Sequence, residues 1–242
     1  MVQPSALGRE SVSRARTTWL LVAAVLLLSQ SWASQSLAQA TSSLDVAGFP
    51  PAVLVAPSAT SARPVVVLLH GRGDSPDWIC EAFAPLVAGR AWLVCPRGEP
   101  YGDGFTYGNR ATVAREVRAV LAALGRAHRG RVDASSPLLA GFSLGAMHAA
   151  FLSRASPRVF RRAFIIDTHH TWTRAEFARF RSAGGLGAMF VCTRTYVDDC
   201  ARVDAASTLV VPSREHGYDA SFVQLLRPSF DLLIASDARW RL

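Results

Sequence analysis

Apolar positions along the chain fall into two alternating textures. Short apolar runs occur at 52-AVLVA-56, 65-VVVLLH-70, 91-AWLVC-95, 137-PLLAGF-142, 162-RAFIID-167, 188-AMFVCT-193 and 208-TLVVPS-213. Runs of this length without polar alternation are the pattern of strands buried on both faces. Between most of them the apolar spacing becomes that of a helix. Residues 110–128 place Val113, Val117, Val120, Leu121 and Leu124 on one face. Further helices are expected at 77–88, 144–154, 173–183 and 218–236. The alternation predicts an α/β domain, with a mainly parallel central sheet and helices on both faces. In such sheets ligands bind at the carboxyl ends of the strands. Residues 41–48 and 57–64, rich in Ser, Ala and Pro, read as a flexible start and a turn.

The first 40 residues stand outside this pattern. A polar stretch with Arg9, Arg14 and Arg16 precedes the apolar run 19-WLLVAAVLLL-28, and a polar segment then ends in 38-AQA-40. A positive start, a short apolar core and a small-residue A-x-A end are the three parts of a secretory signal peptide. Cleavage is expected after Ala40, with Ala33 as the second choice. The apolar run is short of the about 20 residues that span a bilayer, so an uncleaved anchor is the lesser alternative. No cysteine lies near the cleavage region, which argues against a lipid anchor, and 14-RAR-16 is not a twin-arginine pair. Residues 41–242 then form one domain, without internal repeats, in a secreted or periplasmic protein with no stable membrane insertion.

The formal net charge is +8, and every Lys-or-Arg position is Arg. The arginines are scattered rather than run together with aromatics, so they read as a solvated surface and not as a nucleic-acid patch. Four cysteines in an exported chain suggest two disulfides, Cys80–Cys95 and Cys192–Cys200 being the pairs nearest in sequence. Buried free thiols are the alternative. No C-x-x-C is present, so the spacing does not suggest zinc.

The candidate chemistry starts at 137-PLLAGFSLGAMHAA-150. Gly141, Ser143 and Gly145 make G-x-S-x-G between an expected strand and an expected helix. A sharp strand-to-helix turn needs small residues on both sides of the serine and projects its hydroxyl above the sheet edge. Ser143 is the candidate nucleophile. A second motif, 65-VVVLLHGRGDSPDW-78, ends a strand in His70-Gly71 and a glycine-containing loop. It points to backbone N–H groups of Arg72 and Leu144 as an oxyanion hole, with His70 and Gly71 supporting the loop. A serine hydroxyl needs a base. His216, in 208-TLVVPSREHGYD-219, follows the last expected strand and is the candidate. The acid is expected after the strand 188–193, where Asp198 and Asp199 stand, Asp198 slightly favoured. Asp167, after the preceding strand, is the other position. Helix capping is the alternative role for the paired aspartates. The Cys192–Cys200 bridge would clamp the acid's loop.

Together 68-LLHGRGDSP-76, 95-CPRGEPYGDGFTYG-108, 139-LAGFSLGAMHA-149 and 215-EHGYD-219 resemble the α/β-hydrolase superfamily. Within it they are most similar to the small phospholipase/carboxylesterase branch, which includes acyl-protein-thioesterase-like and other predicted esterases. The resemblance covers nearly all of residues 41–242. It implies the α/β-hydrolase fold and hydrolysis of carboxylic esters or thioesters through an acyl-enzyme on Ser143, without metal or organic cofactor. The chain departs from that branch at the acid. TRTYVDDC stands where a G-x-x-D-x-x-V-P type loop is usual, and the stretch from Asp199 to His216 is short, trimming the last crossover helix to about 201–206. The loop 98–108, with Tyr101, Phe105 and Tyr107, is expected to form one wall of an open cleft, and Trp172 beside His169 and His170 another. A short or medium acyl ester suits such a cleft. A peptidase, a polyester depolymerase and an inactive binding module are the competing readings.

Overall fold

The structure is a computed structural model that describes residues 40–241 apart from 88, 170, 171 and 204–206. The expected signal peptide through residue 39, and His170, lie outside the described residues.

Among the described residues, ten strands and six α-helices follow one another. They are β1 (Thr41–Leu44), β2 (Ala52–Val55), β3 (Arg63–Leu69), α1 (Pro76–Val87), β4 (Trp92–Cys95), β5 (Glu99–Tyr101), β6 (Gly104–Thr106) and α2 (Arg110–Ala127). Then come β7 (Val132–Phe142), α3 (Leu144–Ala155), β8 (Arg162–Ile166), α4 (Arg174–Ser182), β9 (Gly187–Thr193), α5 (Val197–Cys200), β10 (Thr208–Val211) and α6 (Ala220–Ile234). Eight strands form one sheet in the order β1-β2-β4-β3-β7-β8-β9-β10, and β5 and β6 form a separate hairpin. β2 is antiparallel to both its neighbours, while every other pair in the sheet is parallel.

The apolar runs become strands because each has two apolar faces to bury. In β3, Val65, Val67 and Leu69 face one layer of helices, while Val66 and Leu68 face the other. Ala163 and Ile165 of β8 likewise oppose Phe164 and Ile166. α2, α3 and α4 cover the first face through residues such as Val117, Leu124, Ala149 and Phe180. α1 and α6 cover the second through Ile79, Phe83, Leu226 and Phe230. This is the mainly parallel, two-faced sheet expected from the sequence, in a single domain.

Three local expectations are corrected. Residues 41–44 are not a flexible start; they pair with β2 as an edge strand, holding Leu44 and Val46 in the core. The loop 98–108 contains the β5–β6 hairpin. The helical turn after β9 lies at 197–200; of the 201–206 expected for the crossover helix, 201–203 are a turn and 204–206 lie outside the described residues.

Both expected disulfides are present. Cys80–Cys95 ties α1 to the end of β4, and Cys192–Cys200 ties β9 to α5. Among the described residues no helix is long and apolar enough to cross a membrane.

His148, on α3, is buried at 3% exposure with its ring against Tyr107. Burial, with a smaller push from Arg110, lowers its pKa from 6.5 to about 4. The folded protein therefore keeps His148 neutral where the unfolded chain would protonate it. The unfolded state binds more protons between these values, so stability falls as pH drops from 6.5 to about 4. The loss from this one group is about 3 kcal/mol. Urea titrations across this pH range are expected to show a shallower loss of stability in His148→Leu than in the wild type.

Candidate active site

The polar motifs converge because their strands are parallel and end at one edge. Ser143 follows β7, Asp167 follows β8, His70 follows β3, and His216 lies beyond β10. Ser143 forms the turn between β7 and α3 with φ +54°, a conformation uncommon outside glycine. Its N–H donates to Ile166 O at 2.9 Å, and its carbonyl accepts from Met147 N at 3.1 Å. Two glycines permit the turn. A Cβ on Gly145 would stand 2.1 Å from Leu69 O, and one on Gly141 would stand 2.4 Å from the Gly145 carbonyl. Both collisions are with backbone, which has nowhere to go.

His216, the candidate base expected from the sequence, lies beside Ser143. His216 Nε2 lies 3.0 Å from Ser143 Oγ. Its ring stacks on Phe142 at 4.9 Å between centroids, and the edge contact with Tyr196 is 5.2 Å. On the other side of the ring lies Asp167, with Oδ2 2.6 Å from His216 Nδ1. Asp167 is fully buried and has φ +59°. Its other oxygen accepts from Thr193 N at 2.8 Å and Thr193 Oγ1 at 2.7 Å. An imidazole held in this way presents Nε2 as an acceptor toward the serine.

Asp198 and Asp199 do not face His216. Both sit on α5, where Asp198 is exposed and Asp199 lies 3.7 Å from His169 Nδ1 and 3.6 Å from Arg202. The physical reason is register. β8 is the immediate neighbour of β7 in the sheet, so the residue that ends it stands beside Ser143. β9 is one strand further away, and the chain turns into α5 after Thr193. Of the three candidate aspartates, the structure brings Asp167 to His216 and leaves Asp198 and Asp199 on α5.

On the other side of Ser143 lies the 71–75 loop. Gly71 packs against Phe142 and Ser143, where an added Cβ would stand 3.4 Å from each. Among the described residues the backbone N–H groups of Arg72 and Leu144 make no hydrogen bond. Leu144 also begins α3, so its N–H stands at the positive end of a helix. His70 is buried beneath the loop, with Nδ1 2.7 Å from Gly71 O and Nε2 2.9 Å from Arg97 O. Its ring stacks on Tyr107.

The expected cleft walls divide. Tyr101 is exposed and its ring passes near Gly73, so it stands at the rim. Tyr107 is buried, its hydroxyl donating to Pro96 O at 3.0 Å and accepting from His70 N at 3.2 Å; it supports the site from below. Trp172 is no wall, because it is buried at 1% exposure against Phe180 and Phe190.

Three neighbours of the site escaped the sequence reading: Thr193, Tyr196 and Tyr218. Tyr218 lies inside 215-EHGYD and could have been suspected as the aromatic two residues past the base. Thr193 ends a strand like any other β-branched residue and carried no signal. Burial, and then the charges of Asp167 and Asp199, raise the Tyr196 pKa, so its phenol stays neutral beside the base.

Two outcomes follow from this geometry. Asp167→Asn is expected to slow phosphonylation of Ser143 by a fluorophosphonate on the order of 10⁴-fold, while Asp198→Asn leaves the rate unchanged. Cys192 adjoins Thr193, so the Cys192–Cys200 bridge steadies the acid through Thr193 rather than by holding the acid itself. Replacing both cysteines by Ala is expected to cost about 2.5 kcal/mol in urea denaturation and to slow labelling as well.

No family model matches the chain, and no curated protein matches it by sequence. Solved structures do. The TT1662 protein from Thermus thermophilus is 16% identical, with a TM-score of 0.54, covering 81% of this chain and 98% of its own. A chain from a structural analysis of two fungal esterases from Rhizomucor miehei is 14% identical, with a TM-score of 0.55, covering 81% of this chain and 83% of its own. At this identity the likeness speaks for architecture: the chain has the α/β-hydrolase fold.

Proposed function

We propose that the protein is an exported serine hydrolase that cleaves carboxylic esters or thioesters through an acyl-enzyme on Ser143. The observation that carries this reading is the continuous line from Ser143 Oγ to His216 Nε2 at 3.0 Å and from His216 Nδ1 to Asp167 Oδ2 at 2.6 Å. The esterase neighbours of the fold support it.

The steps are those the atoms allow. Ser143 Oγ attacks the acyl carbonyl carbon and its proton passes to His216 Nε2. The imidazolium that forms is stabilised by the Asp167 carboxylate, which stays ionised. The carbonyl oxygen becomes an oxyanion and accepts hydrogen bonds from the N–H groups of Arg72 and Leu144. His216 then protonates the leaving alcohol or thiol as its bond to the acyl carbon breaks. Water attacks the acyl-enzyme, gives a proton to the same nitrogen, and the acid leaves as Ser143 regains its proton.

The reading of an inactive binding module loses its main support, because it needs a base without an acid. A small-molecule substrate with a short or medium acyl group agrees with a base whose side chain is 33% exposed. Export agrees with the expected signal peptide and with two disulfides, which persist in oxidising compartments.

The test is fluorophosphonate labelling of residues 41–242 beside Ser143→Ala, followed by ester and thioester panels graded in acyl length. Labelling that disappears in the variant, with turnover of short acyl esters, is the expected result. A folded wild type that neither labels nor hydrolyses any panel member rules the proposal out. Cleavage of peptides alone would move the assignment to a peptidase.

A further inference from the structure

Tyr218, two residues beyond the base, reaches across the site to the oxyanion loop. Its hydroxyl lies 2.9 Å from both Oδ1 and Oδ2 of Asp74. Asp74 is two residues beyond Arg72, and its carboxylate also accepts from Ser75 N at 2.7 Å. Burial, and then the Asp74 charge, raise the Tyr218 pKa, so the phenol keeps its proton and remains the donor.

The main chain of Asp74 is committed as well. Asp74 O accepts from Phe105 N at 2.9 Å, and Gly73 N donates to Phe105 O at 2.8 Å. The 71–75 loop is thereby laced to the β5–β6 hairpin. The approach is close: a Cβ on Gly104 would stand 2.3 Å from Gly73 O. Asp74 thus joins the hairpin through its backbone and the base loop through its carboxylate.

Apart from the bonds and ring contacts of His216 itself, the base loop has few other holds among the described residues. Gly217, between His216 and Tyr218, has no atom within 4 Å of where a Cβ would be. The ion pair Arg194–Glu215 is largely exposed and Arg214–Asp219 about half-exposed, and such surface pairs contribute little. Arg194 N donates to Arg214 O at 2.9 Å at the loop's start. Tyr218 is the half-buried hold at its far end, its ring edge-on to Phe83 of α1 and to Phe142, the residue before Ser143.

We propose that Asp74 and Tyr218 are a positioning pair that sets the separation between the oxyanion donors and the base across Ser143. This rests on the serine-hydrolase reading above. Neither residue touches the reacting atoms. The pair acts by keeping the Arg72 N–H and the His216 imidazole in register with one bound acyl group. A displacement of about 1 Å in such an arrangement costs on the order of 10²-fold in rate.

The experiment compares wild type, Tyr218→Phe, Asp74→Ala, Asp74→Asn and the double variant Asp74→Ala/Tyr218→Phe. Kinetics on a short acyl ester are measured at a temperature where each is folded by circular dichroism. Amide hydrogen exchange is followed in 71–75 and 213–218. Tyr218→Phe keeps the ring and loses only the hydroxyl. It is expected to lower kcat by about 10- to 100-fold with KM nearly unchanged, and to speed exchange in both loops. Asp74→Asn retains an acceptor oxygen and is expected to keep most of the wild-type kcat. Asp74→Ala should lose as much as Tyr218→Phe, and the double variant no more than either, because one link is broken in all three. A folded Tyr218→Phe with wild-type kcat overturns the pair, even if its melting temperature falls, since a purely structural bond would do only that. Wild type that neither labels at Ser143 nor turns over ester overturns the hydrolase reading and, with it, the positioning role.

Discussion

A carboxylate with no exposure to water must be satisfied inside the protein, and Asp167 is the group around which this site is built. It spends one oxygen on the main chain and hydroxyl of Thr193 and the other on His216. Those bonds join the ends of β8 and β9 to the loop beyond β10. Asp167 N also donates to Val191 O at 2.7 Å, continuing the ladder to the last position before the cleft. The residue adopts φ +59°, a conformation tolerated only where the surroundings over-determine it. Ser143, the other described non-glycine residue with positive φ, is fixed in the same way by its bond to Ile166 O, one residue before Asp167. Ser143 and Asp167 are thus strained turns at the ends of adjacent strands, each held by the next strand's ladder. The base reaches them from a loop and needs separate holds.

What the sequence revealed follows from how each feature is encoded. The inner strands were legible because burial on both faces demands unbroken apolar runs, and the helices because one-sided burial demands a stripe. β1 was not, because Thr41, Ser42 and Ser43 are exposed at the sheet edge and only Leu44 enters the core. The first half of β7 was missed for the same reason, its residues 132–136 being at best half-buried. The β5–β6 hairpin carries no apolar alternation, and it is joined to the 71–75 loop by backbone bonds between Phe105 and residues 73 and 74.

The site was legible where chemistry is local and obscure where it depends on sheet order. Ser143 is marked by Gly141 and Gly145 because the steric need lies within five residues. Asp167 is marked by nothing nearby. Its suitability arises because β8 lies directly beside β7, and sequence spacing does not state which strand end comes closest to the serine. The aspartate pair at 198–199 drew attention because it follows a strand, yet it belongs to a helical turn facing His169 and Arg202. Likewise Trp172 suggested a wall because it follows two histidines, while its bulk in fact fills the core under α4.

The two disulfides acquire a common sense from this placement. Cys95 ends β4 directly before Pro96 and Arg97, whose carbonyls take the Tyr107 hydroxyl and lie against His70. Its partner Cys80 is on α1, the helix that follows the oxyanion loop. Cys192 is the last-but-one residue of β9, directly before Thr193, the donor to Asp167, and its partner Cys200 closes α5. Each bridge therefore restrains a segment one residue away from a group that supports the site, and neither ties the amino edge of the sheet. Loops at a strand edge are the parts of a domain that open most readily. A parallel sheet supplies a rigid base but leaves its carboxyl-edge loops to be held by side chains. Cross-links at that edge limit the excursions of both the 71–75 side and the Asp167 side. The base loop has no such cross-link, so its geometry depends on hydrogen bonds and ring contacts alone.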